Sequence, residues 1–335
     1  MLTVGVIIPF YQTAQGVLRR TVESVLVQHV PPETRLELII IDDGAPIRAS
    51  GEVDGLHVPS WISVRVERQA NGGCAAAREA GLRMLGDTAE LVAFLDSDDS
   101  WVPDHLLRAV QALQAGADVY FSDHARVGHH ASHFAAIGFI AEDLPSAAAT
   151  NGVAACTTLD ATESFAQCLT TFTAQISTLV YRRSIKPDAA FAVDLRLAGE
   201  DTLFILQLLA AARTVCVSRE IEVVCGAGVN VYYGTFDWSD EGHIRRRLSD
   251  IIACRQQLAT LRLRRADARL IRARIRESRR AFVFFSVRWA FKGHRRWSGQ
   301  LRQLARKEGR IWRWFLPYLI DVAVRVAITG YRPAN

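Results

Sequence analysis

A five-residue apolar run, Leu91-Val92-Ala93-Phe94-Leu95, stops abruptly at Asp96-Ser97-Asp98-Asp99. The run reads as a strand buried on both faces, and the three carboxylates mark its carboxyl end. In an open α/β sheet, ligands sit outside the carboxyl ends of the strands. Three like charges in four positions repel one another unless a cation or a metal-bound phosphate joins them. A plainer reading makes the segment a strand-to-helix turn, with Asp99 or Ser100 as the helix N-cap. This stretch alone leaves both readings open.

Its neighbours repeat the pattern. Val4 to Pro9 is an apolar run closed by proline, and Leu36 to Ile41 is another that ends in Asp42-Asp43-Gly44. Val64 to Glu67 is a short third strand. Val17 to Gln28 has apolar residues at helical spacing, and Cys74 to Leu85 is an Ala-rich helix after Asn71-Gly72-Gly73. This order of strands and helices predicts a largely parallel α/β sheet. Two strands then deliver carboxylates to one rim. The Gly72-Gly73 loop, set before a helix, can turn backbone N–H groups towards a phosphate, although most such loops are simple turns.

The ordered segments Ile7-Ile8-Pro9-Phe10-Tyr11, Thr21-Val22-Glu23-Ser24-Val25-Leu26-Val27-Gln28, Ile41-Asp42-Asp43-Gly44, Asn71-Gly72-Gly73 with Arg78, and Phe94-Leu95-Asp96-Ser97-Asp98-Asp99 resemble family 2 glycosyltransferases of the GT-A fold. Within that family they look most like the succinoglycan-type exopolysaccharide glucosyltransferases. The resemblance covers residues 3 to 110 closely and extends more loosely to a second motif near 200. It implies that Pro9, Phe10 and Tyr11 line a nucleotide pocket, that Asp43 accepts the uracil N–H, and that Arg78 lies near base and phosphates. It places Asp96 near the ribose, with Asn71, Gly73 and Ser97 in the same nucleotide-sugar site. Asp98 would hold Mg²⁺ or Mn²⁺ on the diphosphate, with Asp99 beside it. The plainer alternatives are that Pro9 ends a strand, Tyr11 packs, and Arg78 is a solvated helix residue.

The middle of the chain is less regular. Ala117 to Asp123 reads as a strand, and His124, His129, His130 and His133 as an exposed polar loop. Gly138 to Gly152 reads as a connection. Thr173 to Tyr181 alternates like a strand, and Val215 to Val224 reads as another. Val231-Tyr232-Tyr233 is expected in a loop over the donor. Gly199-Glu200-Asp201 precedes an apolar helix, where Asp201 has the place of an N-cap. The resemblance gives this pair a different meaning: Asp201 as general base and Glu200 as a positioning residue on the acceptor side.

Charge divides the chain. Residues 241–335 hold 24 Lys and Arg against 6 Asp and Glu, a net of +18, whereas residues 1–240 sum to −13. A basic tail suits nucleic acid or an anionic membrane surface, and no nucleic-acid recognition motif accompanies it. Ile311 to Ile328 is apolar except for Arg313, Asp321 and Arg325, which with Pro317 argue against a spanning helix and for an interfacial one. The alternative is a helical appendage packed on the catalytic part or on a second subunit. Val4 to Pro9 is too short for a signal-peptide core, and the six scattered cysteines suit reduced thiols. The expected location is therefore cytoplasmic, on the inner face of the cytoplasmic membrane.

The expected organisation is a GT-A domain with a nucleotide-sugar half (1–110) and an acceptor half (111–236), then a basic helical tail (237–335). The implied reaction is inverting transfer from a UDP-sugar, UDP-glucose first, to a lipid-linked oligosaccharide. A single addition is expected, because the Gln-x-x-Arg-Trp motif of processive synthases is absent. Two alternatives stand beside this reading. One is the same fold with another nucleotide-sugar donor. The other is a non-catalytic nucleotide- and membrane-binding protein.

Overall fold

The first apolar run becomes strand β1 (Leu2–Phe10), buried along its last seven residues. It lies between β2 (Thr34–Asp42) and β4 (Leu91–Phe94) and is parallel to both. Burial on both faces is why these strands read as continuous Val/Ile runs. Each buried Val, Ile or Leu contributes about 1.5–3 kcal/mol. The computed structural model describes residues 1–128, 131–139, 156–195, 199–227, 240–293 and 298–333. The chain divides into two compact units, Met1–Arg196 with Glu200–Val229, and Leu197–Gly199 with Asn230–Asn335.

The first unit is built on one nine-stranded sheet of order β3-β2-β1-β4-β8-β6-β9-β5, with β7 added on β9. The remaining strands are β3 (Ile62–Arg68), β5 (Ser100–Trp101), β6 (Val119–Arg126), β7 (Cys156–Asp160), β8 (Val180–Arg182) and β9 (Thr214–Cys225). Strands β1, β2, β3, β4, β6 and β9 run one way, and β5, β7 and β8 run back. The carboxyl ends of β1, β2, β4 and β9 therefore share a rim. The nucleotide-sugar and acceptor halves expected from the sequence both contribute strands to this sheet.

Helices cover the sheet. Helix α1 (Val17–Leu26) buries Leu18, Thr21, Val22 and Val25, a helical stripe. A short α2 (Ala49–Val53) follows β2. Helix α3 (Cys74–Met84) lies against β1 with no room to spare: a methyl group on Gly81 would come within 2.4 Å of Ile7 Cγ2. Arg78 stands one turn before Gly81, so that packing fixes its position. Helices α4 (His105–Gln114), α5 (His133–Ile137) and α6 (Ala161–Thr170) complete the middle. Helix α7 (Glu200–Ala211) is apolar nearly all round and buried. Its Phe204 stacks on Phe191 at 4.0 Å and meets Phe94 of β4 edge-on at 5.4 Å.

Three expectations change. Thr173–Tyr181 is not one strand: a 3-10 turn occupies Ile176–Thr178 before β8. Gln175 Oε1 accepts the Ser177 N–H at 2.5 Å and Thr178 Oγ1 donates to the Gln175 carbonyl at 2.7 Å, local bonds that compete with a ladder. Asp99 and Ser100 cap no helix, because Ser100–Trp101 pairs antiparallel with β9 and α4 starts at His105. Two of the four histidines leave the expected exposed loop: His124 is buried on β6, His133 opens α5, and their rings stack at 4.3 Å. Burial and the facing His133 push the His124 imidazole down to about 3, so it is neutral. His129, His130, Val231, Tyr232, Tyr233 and most of the 138–152 connection lie outside the described residues.

The second unit carries α8 (Asp240–Thr260), α9 (Arg265–Phe291), α10 (Gly299–Glu308) and α11 (Ile311–Thr329). Ile244, Leu248 and Ile251 of α8 are buried, as are Ile271, Phe282 and Phe285 of α9, while most of the arginines lie on the outer faces. The six cysteines form no disulfide.

Candidate active site

Parallel strands bring two acidic clusters to one rim, and the chain treats them differently. At the end of β2, Asp42 is buried and accepts from Ala45 N (2.9 Å), Ala49 N (3.2 Å) and Arg68 (2.6 Å). Asp43 is also buried and accepts from Gly72 N (2.8 Å), Gly73 N (2.8 Å) and Gln69 Nε2 (2.7 Å). The Gly-Gly pair makes this possible. Gly73 has φ +90°, and a side chain on Gly72 would strike the Ala76 methyl at 2.7 Å. Asp43 thereby pins the loop that opens α3. Asp43 N–H in turn donates to the Phe10 carbonyl at 2.9 Å, which joins the ends of β1 and β2. Pro9 and Phe10 are buried, whereas Tyr11 and Asn71 are exposed.

At the end of β4 the residues alternate. Asp96 and Asp98 are partly exposed, and Ser97 and Asp99 are buried. Ser97 is held by α1 and the loop before it: its Oγ accepts from Gln12 at 3.0 Å and its carbonyl accepts from Thr21 Oγ1 at 2.9 Å. Asp99 turns inward. It accepts from Ser177 Oγ (2.7 Å), Gln175 Nε2 (3.1 Å) and Gly226 N (2.9 Å). Ser177 Oγ also accepts the Asp96 N–H at 2.9 Å. Burial, then the charges of Asp96 and Asp98, push the Asp99 carboxyl up to about 8. Gly226, just past β9, closes over the motif, and a methyl group there would fall 1.9 Å from the Asp98 carbonyl oxygen.

Arg78 links this rim to α7. Its guanidinium is buried and donates to Asp96 at 2.6 Å and to Glu200 at 3.4 Å, and it lies 5.5 Å over the Phe191 ring. Its Nε makes no hydrogen bond. The sequence alternative of a solvated helix residue therefore fails for Arg78. Glu200 is pushed up to about 7: burial and the neighbouring Asp201 outweigh the pull of Arg78. Asp201 Oδ1 accepts the Thr202 N–H at 2.6 Å, and among the described residues no hydrogen bond reaches Oδ2. The first turn of α7 sets both acids at the positive end of a helix dipole. Cys74 opens α3 within the field of Arg78, Asp96, Glu200 and Asp201, and burial holds its thiol well above the ordinary value, so it is no nucleophile.

The rim brings together Pro9, Phe10, Tyr11, Asp43, Asn71, Gly73, Arg78, Asp96, Ser97, Asp98 and Asp99, and Arg78 ties it to Glu200 and Asp201. Ser97, Asp99 and Asp43 hold the frame, whereas Asp96, Asp98 and Asp201 are partly exposed. Gln12, Gln175, Ser177 and Gly226 escaped the sequence reading, since no local pattern marks a residue that supports a motif far along the chain. Among the described residues no three His, Cys, Asp or Glu side chains form a metal cage. Asp98 beside Asp96 nevertheless suits a hard divalent cation that completes its shell with diphosphate oxygens and water.

Residues 5–139 match the family model described as Glycosyl transferase family 2. The chain is 29% identical over 330 residues to succinoglycan biosynthesis protein ExoW of Rhizobium meliloti, covering 98% of each. Among solved structures it resembles S. aureus TarS with TM-score 0.61 and 16% identity, covering 99% of this chain and 55% of that one. For TarS 1–349 in complex with UDP-GlcNAc the TM-score is 0.58 at 16% identity, covering 99% and 93%. Mannosyltransferase PcManGT from Pyrobaculum calidifontis, in complex with GDP-Man and Mn²⁺, gives 0.54 at 17% identity, covering 98% and 88%. These structural likenesses concern the fold. With the family match over the motif-bearing strands and a relative of equal span that is similar along its whole length, residues 5–139 form a glycosyltransferase family 2 domain, built on a GT-A-like fold.

Proposed function

We propose that the chain transfers glucose from UDP-glucose to a hydroxyl of a lipid-linked oligosaccharide, with inversion, in the assembly of an exopolysaccharide. The observation that carries this reading is the Asp96–Arg78–Glu200 bridge. It links the acidic end of β4 to the helix end that bears Asp201. Donor and acceptor groups are thus held by one buried guanidinium. The likeness to ExoW supports the pathway, and the titles of the TarS and PcManGT structures name nucleotide sugars as the ligands of those proteins.

Asp201 takes the acceptor proton on Oδ2, the oxygen that Thr202 does not reach. As the hydroxyl oxygen bonds to the anomeric carbon, the bond from that carbon to the diphosphate oxygen breaks on the opposite face. The configuration inverts and UDP departs with the electron pair. Asp98, with Asp96 beside it, would hold Mg²⁺ or Mn²⁺ on the diphosphate, and a cation there supplies positive charge to the leaving group. Asp43 accepts the uracil N–H with lone-pair capacity beyond its three internal donors. Arg78 stays charged between its two carboxylates, raised well above the ordinary guanidinium value.

A panel of UDP-glucose, UDP-galactose, UDP-GlcNAc and GDP-mannose, incubated with Mn²⁺ and a polyprenol-linked acceptor, tests the donor. Transfer from UDP-glucose at the highest kcat/KM supports the reading. Transfer from another donor alone replaces the donor and keeps the reaction class.

A further inference from the structure

Helix α11 has an outer face that its own packing does not explain. The buried side is made by Ile311, Trp314 and Val322, with Phe315, Tyr318 and Leu319 half-buried. Trp314 meets Phe282 of α9 edge-on at 5.5 Å, and Arg279 lies 5.0 Å over its ring. Glu308 accepts from the Trp314 indole N–H at 3.1 Å. These contacts seat one side of the helix.

The opposite side is apolar and open. Trp312 is 81% exposed, Leu316 63%, Ile320 63% and Ile328 77%, with Ala323, Val324 and Ala327 exposed between them. The i, i+4 spacing sets them on one stripe, roughly 24 Å long at 1.5 Å per residue. Asp321 accepts from Arg280 of α9 at 2.7 Å and from Arg325 at 3.0 Å, so two of the three charges of the helix are tied to each other and to the neighbouring helix. Arg313 lies within the exposed stripe, and Arg325 is 44% exposed. A stripe of this size is rare on a surface that meets only water.

Its surroundings are cationic. Arg302, Arg306, Lys307 and Arg310 are exposed on α10 and on the turn into α11, and Arg313 follows. An apolar stripe beside a basic border matches a surface that is apolar beneath and anionic at its rim. No helix among the described residues is long and apolar enough to cross a membrane.

We infer that the outer face of α11 docks on an anionic lipid bilayer, with Trp312, Leu316, Ile320 and Ile328 buried among the acyl chains and the arginines of α10 and α11 on lipid phosphates. The inference stands apart from the donor reading, since no residue of the acidic rim takes part.

The test is flotation of the full chain with phosphatidylcholine vesicles, with and without phosphatidylglycerol, for the wild type and for L316E/I320E. Circular dichroism and UDP binding serve as controls, because both positions are exposed and outside the site. Expected are capture by the anionic vesicles, its weakening by salt, and at least about a tenfold loss in the variant with both controls unchanged. Equal capture by neutral vesicles overturns the inference, as does capture unaffected by the substitutions. So does sedimentation of the wild type as a dimer that the variant converts to monomer without vesicle capture, which would give the face to a second copy of the chain.

Discussion

The two acidic strand ends carry the same side chains and do opposite work. At the end of β2, six hydrogen bonds converge on Asp42 and Asp43, three on each. Donors from the chain itself satisfy both carboxylates, and the result is a fixed turn. At the end of β4, Arg78 donates to Asp96 and Ser177 to Asp99, and burial, then the charges of Asp96 and Asp98, push the Asp99 carboxyl up to about 8. The first cluster is a scaffold, and the second keeps Asp96 and Asp98 partly exposed. In the proposed reading a cation on the diphosphate meets the second cluster, while the first offers only Asp43, to the base.

The largest expected effect lies on the α7 side of the second cluster. D201N removes the base and keeps the shape, so kcat should fall by about 10²–10⁴ while UDP binding is unchanged. Steady-state kinetics beside calorimetry separates the two, and parallel losses in both would dissolve the assignment. Next comes the scaffold. D43A strands the Gly72 and Gly73 N–H groups, and urea unfolding should show a loss of about 2–4 kcal/mol that metal does not restore. D98A should lose less than D43A in the absence of metal, since it thins a repelling cluster. If D98A is the more destabilised of the two, the contrast between the clusters is wrong.

A smaller effect is expected from G226A. Its methyl group meets the Asp98 carbonyl and must push the motif aside. Metal-dependent UDP binding should weaken by about tenfold, with a stability loss of about 1–3 kcal/mol in urea unfolding. Unchanged affinity would mean that the motif adjusts freely. The smallest effect is a slope. Glu200 loses its proton at about 7 in the fold against 4.5 in the unfolded chain. Between these values the folded state holds the extra proton, so stability falls as pH rises through the window. E200Q has no such proton, so its Tm should vary less from pH 4.5 to 7 than that of the wild type. Equal slopes would place Glu200 in a more solvated setting.

The sequence was legible where a residue's neighbours in the chain are its neighbours in space. Apolar runs gave β1, β2 and β4, and their polar ends gave the rim, because burial on both faces leaves an unbroken pattern. It was illegible where side chains answer to distant partners. Nothing near Ser177 announces that it bridges the Asp96 N–H and the Asp99 carboxylate. Nothing near Gly226 announces the carbonyl it must clear. Thr173–Tyr181 misled because the side chains of Gln175 and Thr178 bond the local backbone and close a 3-10 turn inside an alternating segment. His124 and His133 misled because polarity in a row resembles a loop, whereas His124 is buried on β6 and stacks on the His133 ring.

The central claim is that the β4 rim binds the donor through a cation held by Asp98. Calorimetric titration of UDP into the wild type and D98A, with Mn²⁺ and then with EDTA, tests it most directly. The account predicts binding to the wild type with Mn²⁺, and its loss both on chelation and in D98A. Equal affinity of the wild type for UDP in Mn²⁺ and in EDTA would contradict it.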